Sequence, residues 1–524
     1  MAHDPSGRRW AATAVVCGGL YLLGLDLTVL NVAIPDLEAD LQPSAAQLHW
    51  IVDGYALVLG GTVLAVGTLT DRVGRRLSFV TGLLLCAAAS AAGALGHAPW
   101  HVIVSRFCMG AGASLMMPAT LSIIRNLFTA AEERRRAIAL WTAVAGAGGL
   151  TGPVVGGWFV EQSSWRSVFW LNIPLALVLA VLTLCLVPES RDHVRERLDL
   201  RGALLSAAGL LALVWAVIEG PTRGWDSPVV LSAFALAGAL LAAWVRQQHR
   251  CAEPLLPPAV LRDPRVAVGA AALALMSFAL FGALFVMTLY LQGVLDCTPW
   301  QAGIRTVPLP AALAVGAFAA QPLIVRWGER GTVVTGLVVV TASLVVLAGT
   351  DTGSGYGHLL VVQTVAGLGA GMTASAGTEA VMGAVEAERA GLGSAVNDAS
   401  RQVGSALGVA VQGSLLSTVY TDRIREALAG PSVPARVVAA AGDSIVAAAG
   451  LAARLPAADG AALRRLAEDA FVSGLTRAAL VAAVATAGAA AAAWRWFPAH
   501  RPSPRRSTAP DSPARPAHEP GAAR

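Results

Sequence analysis

The sequence contains no lysine and few charged residues of any kind. Only 14% of its 524 residues are charged, against about 25% in an average soluble domain. Hydrophobic residues make up 55% of the chain, and the mean hydropathy is +0.62. The net charge of +5 comes from arginines that cluster between apolar segments rather than along one basic face, so it does not indicate nucleic-acid binding. The composition predicts a protein that lies mostly in a membrane.

Paired cysteines and the common catalytic motifs are also missing. The six cysteines show no paired spacing and no CxxC, so we expect neither a disulfide framework nor a metal site. The sequence contains no HExxH, no GxSxG and no nucleotide-binding loop. The missing nucleotide-binding loop argues against ATP as an energy source. We therefore predict that the protein is not an enzyme and has no cofactor.

Long apolar segments make up most of the chain. A membrane-spanning helix needs about 20 apolar residues, and fourteen candidate segments alternate with polar links. They are residues 11–34, 49–70, 77–96, 101–124, 137–160, 168–188, 202–219, 228–245, 267–292, 301–325, 332–350, 358–384, 392–419 and 471–494. A cytoplasmic N-terminus leaves little beyond Arg166 and Arg223 in the short outer loops, so we predict that both termini are cytoplasmic.

The order of these segments predicts the domains of an all-α membrane protein. The predicted units are an N-terminal six-helix bundle (1–200), an inserted helix pair (201–250), the first five helices of a C-terminal bundle (251–419), an extracellular loop with short helices (420–470), the last transmembrane helix (471–496) and a disordered cytoplasmic tail (497–524). An internal repeat supports this division. A shift of 254 residues places Gly74 on Gly328, and a shift of 257 places Gly110 on Gly367. Parallel halves of this kind build a substrate site at their interface.

Charges inside the predicted membrane helices are few and energetically costly, which makes them informative. Asp26 lies in the first helix and Arg106 in the fourth. A neighbouring arginine favours the ionised carboxylate and burial favours the protonated one, so the pair could bind and release a proton. The alternative is a static pair that only fixes helix packing.

Three further acidic residues lie within predicted helices. Asp53 follows Trp50, and is either a second proton or cation site or a hydrated interfacial residue. Glu379 could serve transport or structure, and its sequence context favours neither. Asp398 and Arg401 are three residues apart and can pair on one helix, so we expect a structural role for Asp398.

Two glycine-rich stretches complete the candidate sites. The fifth helix carries Gly148, Gly152, Pro153, Gly156 and Gly157, a density of small residues with a proline that suggests a tightly packed, pliable helix at a moving interface. The hairpin between the second and third helices carries Gly67, Asp71, Arg72, Gly74, Arg75 and Arg76. Its arginines could anchor to anionic lipid or only enforce orientation, or they could form with Asp71 a charge latch between the two halves.

Together these motifs resemble the fourteen-helix drug:proton antiporter branch of the major facilitator superfamily. The hairpin from Gly67 to Arg76 is similar to the signature loop of that superfamily, and Gly148–Gly157 to its antiporter motif. The segments beginning at Asp26 and at Arg106 are similar to its helix-one and helix-four motifs.

The resemblance implies a major facilitator fold, with two six-helix bundles and an inserted helix pair, that works by alternating access. It implies that Asp26 and Arg106 couple proton entry to drug export, and that the hairpin charges control the inner gate. In the family, the hairpin aspartate is thought to face a helix N-terminus, which here lies near 391–393. The repeat copy of the hairpin has Val325 where the first has Asp71, so the aspartate is the asymmetric part.

We therefore predict an efflux antiporter in the bacterial cytoplasmic membrane. We expect its partners to be the lipid bilayer, protons and a lipophilic or cationic drug-like molecule, plausibly an antibiotic, and we expect a monomer. Two alternatives remain open: an exporter or symporter for one endogenous metabolite or lipid, and a membrane sensor or membrane-embedded enzyme.

Overall fold

The computed structural model describes residues 5–43, 45–191, 199–251, 260, 262–385, 390–428, 437–438, 441–442 and 445–498. Every regular element in these ranges is a helix. The predicted cytoplasmic tail beyond residue 498 and parts of the predicted outer loop lie outside the described residues.

Fifteen helices are formed by the described residues. They are α1 (Pro5–Leu41), α2 (Ala45–Val73), α3 (Arg75–Ala94), α4 (Pro99–Leu127), α5 (Ala131–Gln162), α6 (Arg166–Leu186), α7 (Leu200–Arg223), α8 (Pro228–Arg250), α9 (Pro264–Gly293), α10 (Pro299–Thr306), α11 (Pro308–Ala348), α12 (Tyr356–Ala384), α13 (Ala390–Ala427), α14 (Ile445–Ala452) and α15 (Ala457–Trp496).

The helices make this a multi-pass membrane protein. Among the described residues, eleven helices are long and apolar enough to cross a membrane, and the bent helix α2 raises the number to twelve. Helix α7 contains a shorter apolar helix, Arg201–Val217, and α11 joins two of the predicted segments in one element. Each of the fourteen predicted segments overlaps a helix. Their number as spanning helices stays a prediction, because length and composition support only eleven or twelve.

Two glycines interrupt the helical path at matching positions of the repeat. Gly74 separates α2 from α3 with a φ of +121°, and Gly328 breaks α11 with a φ of +73°. Residues with a side chain rarely adopt positive φ, so both hairpins depend on glycine. The shared backbone conformation at the two positions supports the internal repeat that the sequence predicts.

Two hydrophobic cores divide the helices into halves. The first core is built from α1–α6, and Met382 and Ala390 of the other half also pack into it. The second core is built mainly from α9–α15, with Leu210 and Trp244 of α7 and α8. The halves meet where α5 packs against α11 and where α2 packs against α13, and α7 lies against α2. The interface between the halves is thus lined by α2, α5, α11 and α13.

The last helix begins earlier than the sequence predicts. Helix α15 starts at Ala457, inside the stretch we expected to be an outer loop with short helices, and runs to Trp496 without a break. Leu463, Ala467 and Ala470 lie on one face of this extension and are buried in the second core. Their apolar contacts stabilise the part of the helix that precedes the predicted membrane span.

Candidate functional site

The carboxylate of Asp26 lies inside the first half, on the middle of α1. It is 1% exposed, and its Oδ1 accepts a hydrogen bond from the side-chain amide of Asn172 on α6. Its Oδ2 is buried without a hydrogen-bond partner among the described residues. A buried polar atom without a partner is rare and costly, so this oxygen is available to a proton or a ligand.

Arg106 lies beside Asp26 and connects three helices. Its guanidinium donates to the main-chain carbonyl oxygens of Ile51 at 3.1 Å and of Asp26 at 3.2 Å. It also lies over the ring of Tyr55, 4.7 Å from the centroid. The structure therefore brings the predicted pair together, although the described bond between them reaches the main chain of Asp26 rather than its carboxylate.

Asn172 is the residue of this site that sequence reasoning missed. The available signal was a single amide side chain within an apolar helix, where a polar group needs a partner. Asp53 lies on α2, but its side chain is outside the described residues.

The glycines of α5 pack directly against α1. A Cβ at Gly148 would lie 2.6 Å from the carbonyl oxygen of Tyr21, and one at Gly156 would lie 2.7 Å from the Val29 side chain. At Gly152 it would overlap the Thr28 hydroxyl. This close packing lies within the first half and holds the helix of Asp26 in place. Pro153 and Gly157 lie on the same helix, and the Pro153 side chain is outside the described residues.

The hairpin from Gly67 to Arg76 contains a buried ion pair. The Arg75 guanidinium donates through Nε to Asp71 Oδ1 at 2.7 Å, and both side chains are almost fully buried. The main-chain N–H of Arg75 donates to the carbonyl oxygen of Ser190 at 2.9 Å. Arg72 is half-buried. These described contacts lie within the first half, so the latch to the N-terminus of α13 stays a prediction.

Glu189 is a second residue that the sequence did not reveal. Its carboxylate accepts from the main-chain N–H groups of Arg76 and Leu77, each at 3.1 Å. It therefore caps the N-terminus of α3, where unpaired N–H groups and the helix dipole favour a negative charge. A Cβ at Gly74 would lie 2.9 Å from the same carboxylate, so the glycine also makes room for this cap.

The two halves are joined at the end of the bundle that carries this hairpin, which we call the hairpin end. Arg134 at the start of α5 forms an ion pair with Glu379 of α12 at 2.9 Å, and the two side chains are 19% and 6% exposed. Arg125 of α4 donates to the carbonyl oxygen of Val385. Glu379, whose role the sequence left open, is thus part of a contact between the halves.

Farther from the hairpin end, Arg401 of α13 lies over the ring of Trp141 on α5, 5.4 Å from its centroid. Arg401 and Asp398 interact electrostatically, as their spacing predicts, but they form no direct ion pair among the described residues. Asp398 accepts from Asn397 and Ser394 instead. No group of three or more His, Cys, Asp or Glu side chains in the described ranges is placed to hold a metal ion.

Comparison with known proteins identifies the family. The sequence profile of the Major Facilitator Superfamily matches residues 16–409. The chain belongs to the Major Facilitator Superfamily. It is 32% identical over 503 residues to the tetracenomycin C resistance and export protein of Streptomyces glaucescens, covering 94% of this chain and 93% of that one. It is 34% identical over 488 residues to the multidrug efflux pump LfrA of Mycolicibacterium smegmatis, covering 92% and 95%.

A solved transporter structure supports the fold. The human organic anion transporter MFSD10 aligns with a TM-score of 0.59 at 14% identity, over 91% of this chain and 99% of that one. At this identity the likeness concerns the fold alone. The all-α major facilitator fold that the sequence resemblance implied is therefore confirmed.

Proposed function

We propose that this major facilitator protein is a proton-coupled efflux antiporter that exports lipophilic or cationic drug-like molecules. The observation that carries the proposal is the Asp26 carboxylate. It is buried, it has one oxygen without a described partner, and it lies beside the buried cation Arg106. The relatives named for tetracenomycin C export and multidrug efflux support an exported, drug-like substrate.

Asp26 and Arg106 have the chemistry for reversible proton binding. Burial disfavours the ionised carboxylate, whereas the guanidinium of Arg106 favours it. A small change in hydration or in the position of Arg106 therefore shifts the balance between the two forms. A cationic substrate near Oδ2 competes directly with the proton, which gives obligatory exchange.

Alternating access requires contacts that form in one state and break in the other. In the arrangement described here, the Arg134–Glu379 ion pair and the Arg125 bond join the halves at the hairpin end. We place this end at the cytoplasmic face of a bacterial inner membrane, with both chain termini on the same side, because the arginine-rich short loops lie there. The ion pair is then an inner gate that closes when the halves come together.

The test is ethidium efflux by inverted membrane vesicles containing the wild type or Asp26→Asn, with and without a pH gradient. We expect the wild type to move ethidium only when the gradient is present. The Asn variant keeps the shape of Asp26 and its bond to Asn172 but cannot ionise, so we expect it to lose gradient-driven transport. Full coupled activity in Asp26→Asn, at equal expression, would reduce Asp26 to a packing role.

A further inference from the structure

A second buried carboxylate lies in the other half, on α13. Asp398 is fully buried, about 12 Å along the helix from its first residue at 1.5 Å per residue. Its Oδ1 accepts from the Asn397 amide at 3.0 Å, and its Oδ2 accepts from the Ser394 hydroxyl at 3.4 Å. Asn397 in turn accepts from the Thr378 hydroxyl of α12 at 2.8 Å. All described hydrogen-bond partners of Asp398 are neutral.

The nearest cation, Arg401, forms no described hydrogen bond or ion pair with this carboxylate, although its charge still acts on it. Arg401 lies one helical turn farther along α13 and can reach Asp398, since residues three apart share a helix face. Instead its guanidinium lies over Trp141 of the first half, and its Nη1 is buried without a described hydrogen-bond partner. A cation in the membrane interior that has an aromatic ring and a carboxylate nearby, but no direct ion pair, is weakly compensated.

In the part of the chain that the structure describes, Arg401 is the one charge that acts on Asp398. Of the helices packed against α13, α12 brings the Thr378 hydroxyl and, one residue on, Glu379, which is paired with Arg134. Among the described residues, α2, α4, α7, α9 and α15 bring no charged side chain to it. An ionised carboxylate in this position would cost several kcal/mol without its arginine.

We infer that Asp398 is a second proton-binding carboxylate of the transport cycle, and that Arg401 exchanges partners between Trp141 and Asp398. When the halves are closed at the hairpin end, Arg401 lies over Trp141 and Asp398 holds a proton. When the halves separate there, Arg401 loses the ring and pairs with Asp398. The O–H bond of the carboxyl then breaks, the proton leaves to water on the hairpin side, and the guanidinium compensates the carboxylate.

The local hydrogen bonds suit both protonation states. The Ser394 hydroxyl donates to Oδ2 when the carboxylate is ionised, and its oxygen can accept from the carboxyl O–H when it is neutral. The Asn397 amide donates to Oδ1 in either state. The exchange therefore needs no new partner except Arg401. The inference rests on the proposed proton coupling and adds a carboxylate in the second half to that of Asp26 in the first.

The test counts protons released when purified protein binds ethidium in weakly buffered solution, followed with a pH indicator. We expect two protons per ethidium from the wild type and one fewer from Asp398→Asn. We expect one fewer also from Arg401→Gln, because the proton then stays on Asp398, an effect that a purely structural aspartate would not produce. Asp422→Asn, an exposed carboxylate on the same helix, is the matched control and keeps the wild-type count.

The outcomes separate this inference from the proposed function. Release of a single proton by the wild type, lost in Asp26→Asn but kept in Asp398→Asn, overturns the inference and leaves proton-coupled export intact. Wild-type counts in both Asp398→Asn and Arg401→Gln also overturn it. If the wild type binds ethidium without releasing any proton, proton coupling itself fails and the inference with it.

Discussion

The ion pair between Arg134 and Glu379 sets how firmly the two halves close at the hairpin end. Replacing Glu379 with glutamine removes the charge but nearly keeps the shape. A hydrogen bond between charged groups contributes about 1.5–3 kcal/mol. Arg134 is 19% exposed, so water weakens the pair and we use the lower part of that range, about 1.5–2 kcal/mol. The ratio of open to closed molecules should therefore rise roughly 10- to 30-fold.

Electron paramagnetic resonance distances between spin labels measure this ratio. Labels at Ala131→Cys and Gly383→Cys, both exposed positions at the hairpin end, report the separation of the halves in a background without native cysteines. The matched control is Arg136→Gln, which removes an exposed pair with Glu132, the two side chains being 62% and 68% exposed. Surface pairs contribute little, so we expect the control to stay within about twofold of the wild type.

The reasoning is refuted if Glu379→Gln changes the distance distribution no more than the control does. A second variant separates charge pairing from other effects of the substitution. The double exchange Arg134→Glu with Glu379→Arg restores the opposite charges across the interface. We expect it to recover a large part of the closed population, and failure to do so in a folded protein would show that the pair does not act as a gate.

Three further predictions concern stability, each measured as the melting temperature of purified protein. Gly152→Ala forces a methyl group against α1 and should cost about 1–3 kcal/mol, whereas Gly149→Ala, with open space around its Cβ, should melt like the wild type; equal melting of the two would contradict the close packing. Glu189→Ala removes the α3 cap and should cost about 1 kcal/mol, and an unchanged melting temperature would argue against the cap. The pKa of Asp40 is lowered by hydrogen bonds from Trp165 and a neighbouring guanidinium. The ionised Asp40 therefore contributes its full stabilisation above its ordinary pKa of about 4. This stabilisation is lost as the pH falls through the lowered pKa of the folded state. The difference in melting temperature between wild type and Asp40→Asn should therefore shrink below about pH 4. A difference that grows below that pH would show that folding does not lower the pKa of Asp40.

Much of the fold could be predicted from local patterns. The length of the apolar segments predicts where the helices lie, and the glycine within a charged turn predicts the hairpin at Gly74. The burial of Asp26 followed from its apolar helix face. These features are determined by residues that are close in sequence, so the periodicity and composition of a short segment are enough to predict them. The family motifs then added the arrangement of the two halves.

Contacts between distant segments could not be predicted in the same way. Glu189 caps α3 from more than a hundred residues away, and nothing near it in sequence marks that role. Helical spacing predicts that Arg401 pairs with Asp398, and the structure keeps an electrostatic interaction between them without a direct ion pair. The direction of a long side chain is decided by all its surroundings, and here the ring of Trp141 in the other half lies within reach. Such choices depend on tertiary packing rather than on local pattern.

The central claim is that a proton gradient drives export. The most direct measurement uses purified protein in liposomes, with an imposed pH gradient and no ATP, and records ethidium and internal pH together. We predict that ethidium moves against its own gradient while protons flow down theirs, and that both movements stop when an ionophore collapses the pH gradient. Ethidium movement of the same rate and extent with and without the gradient would contradict the claim.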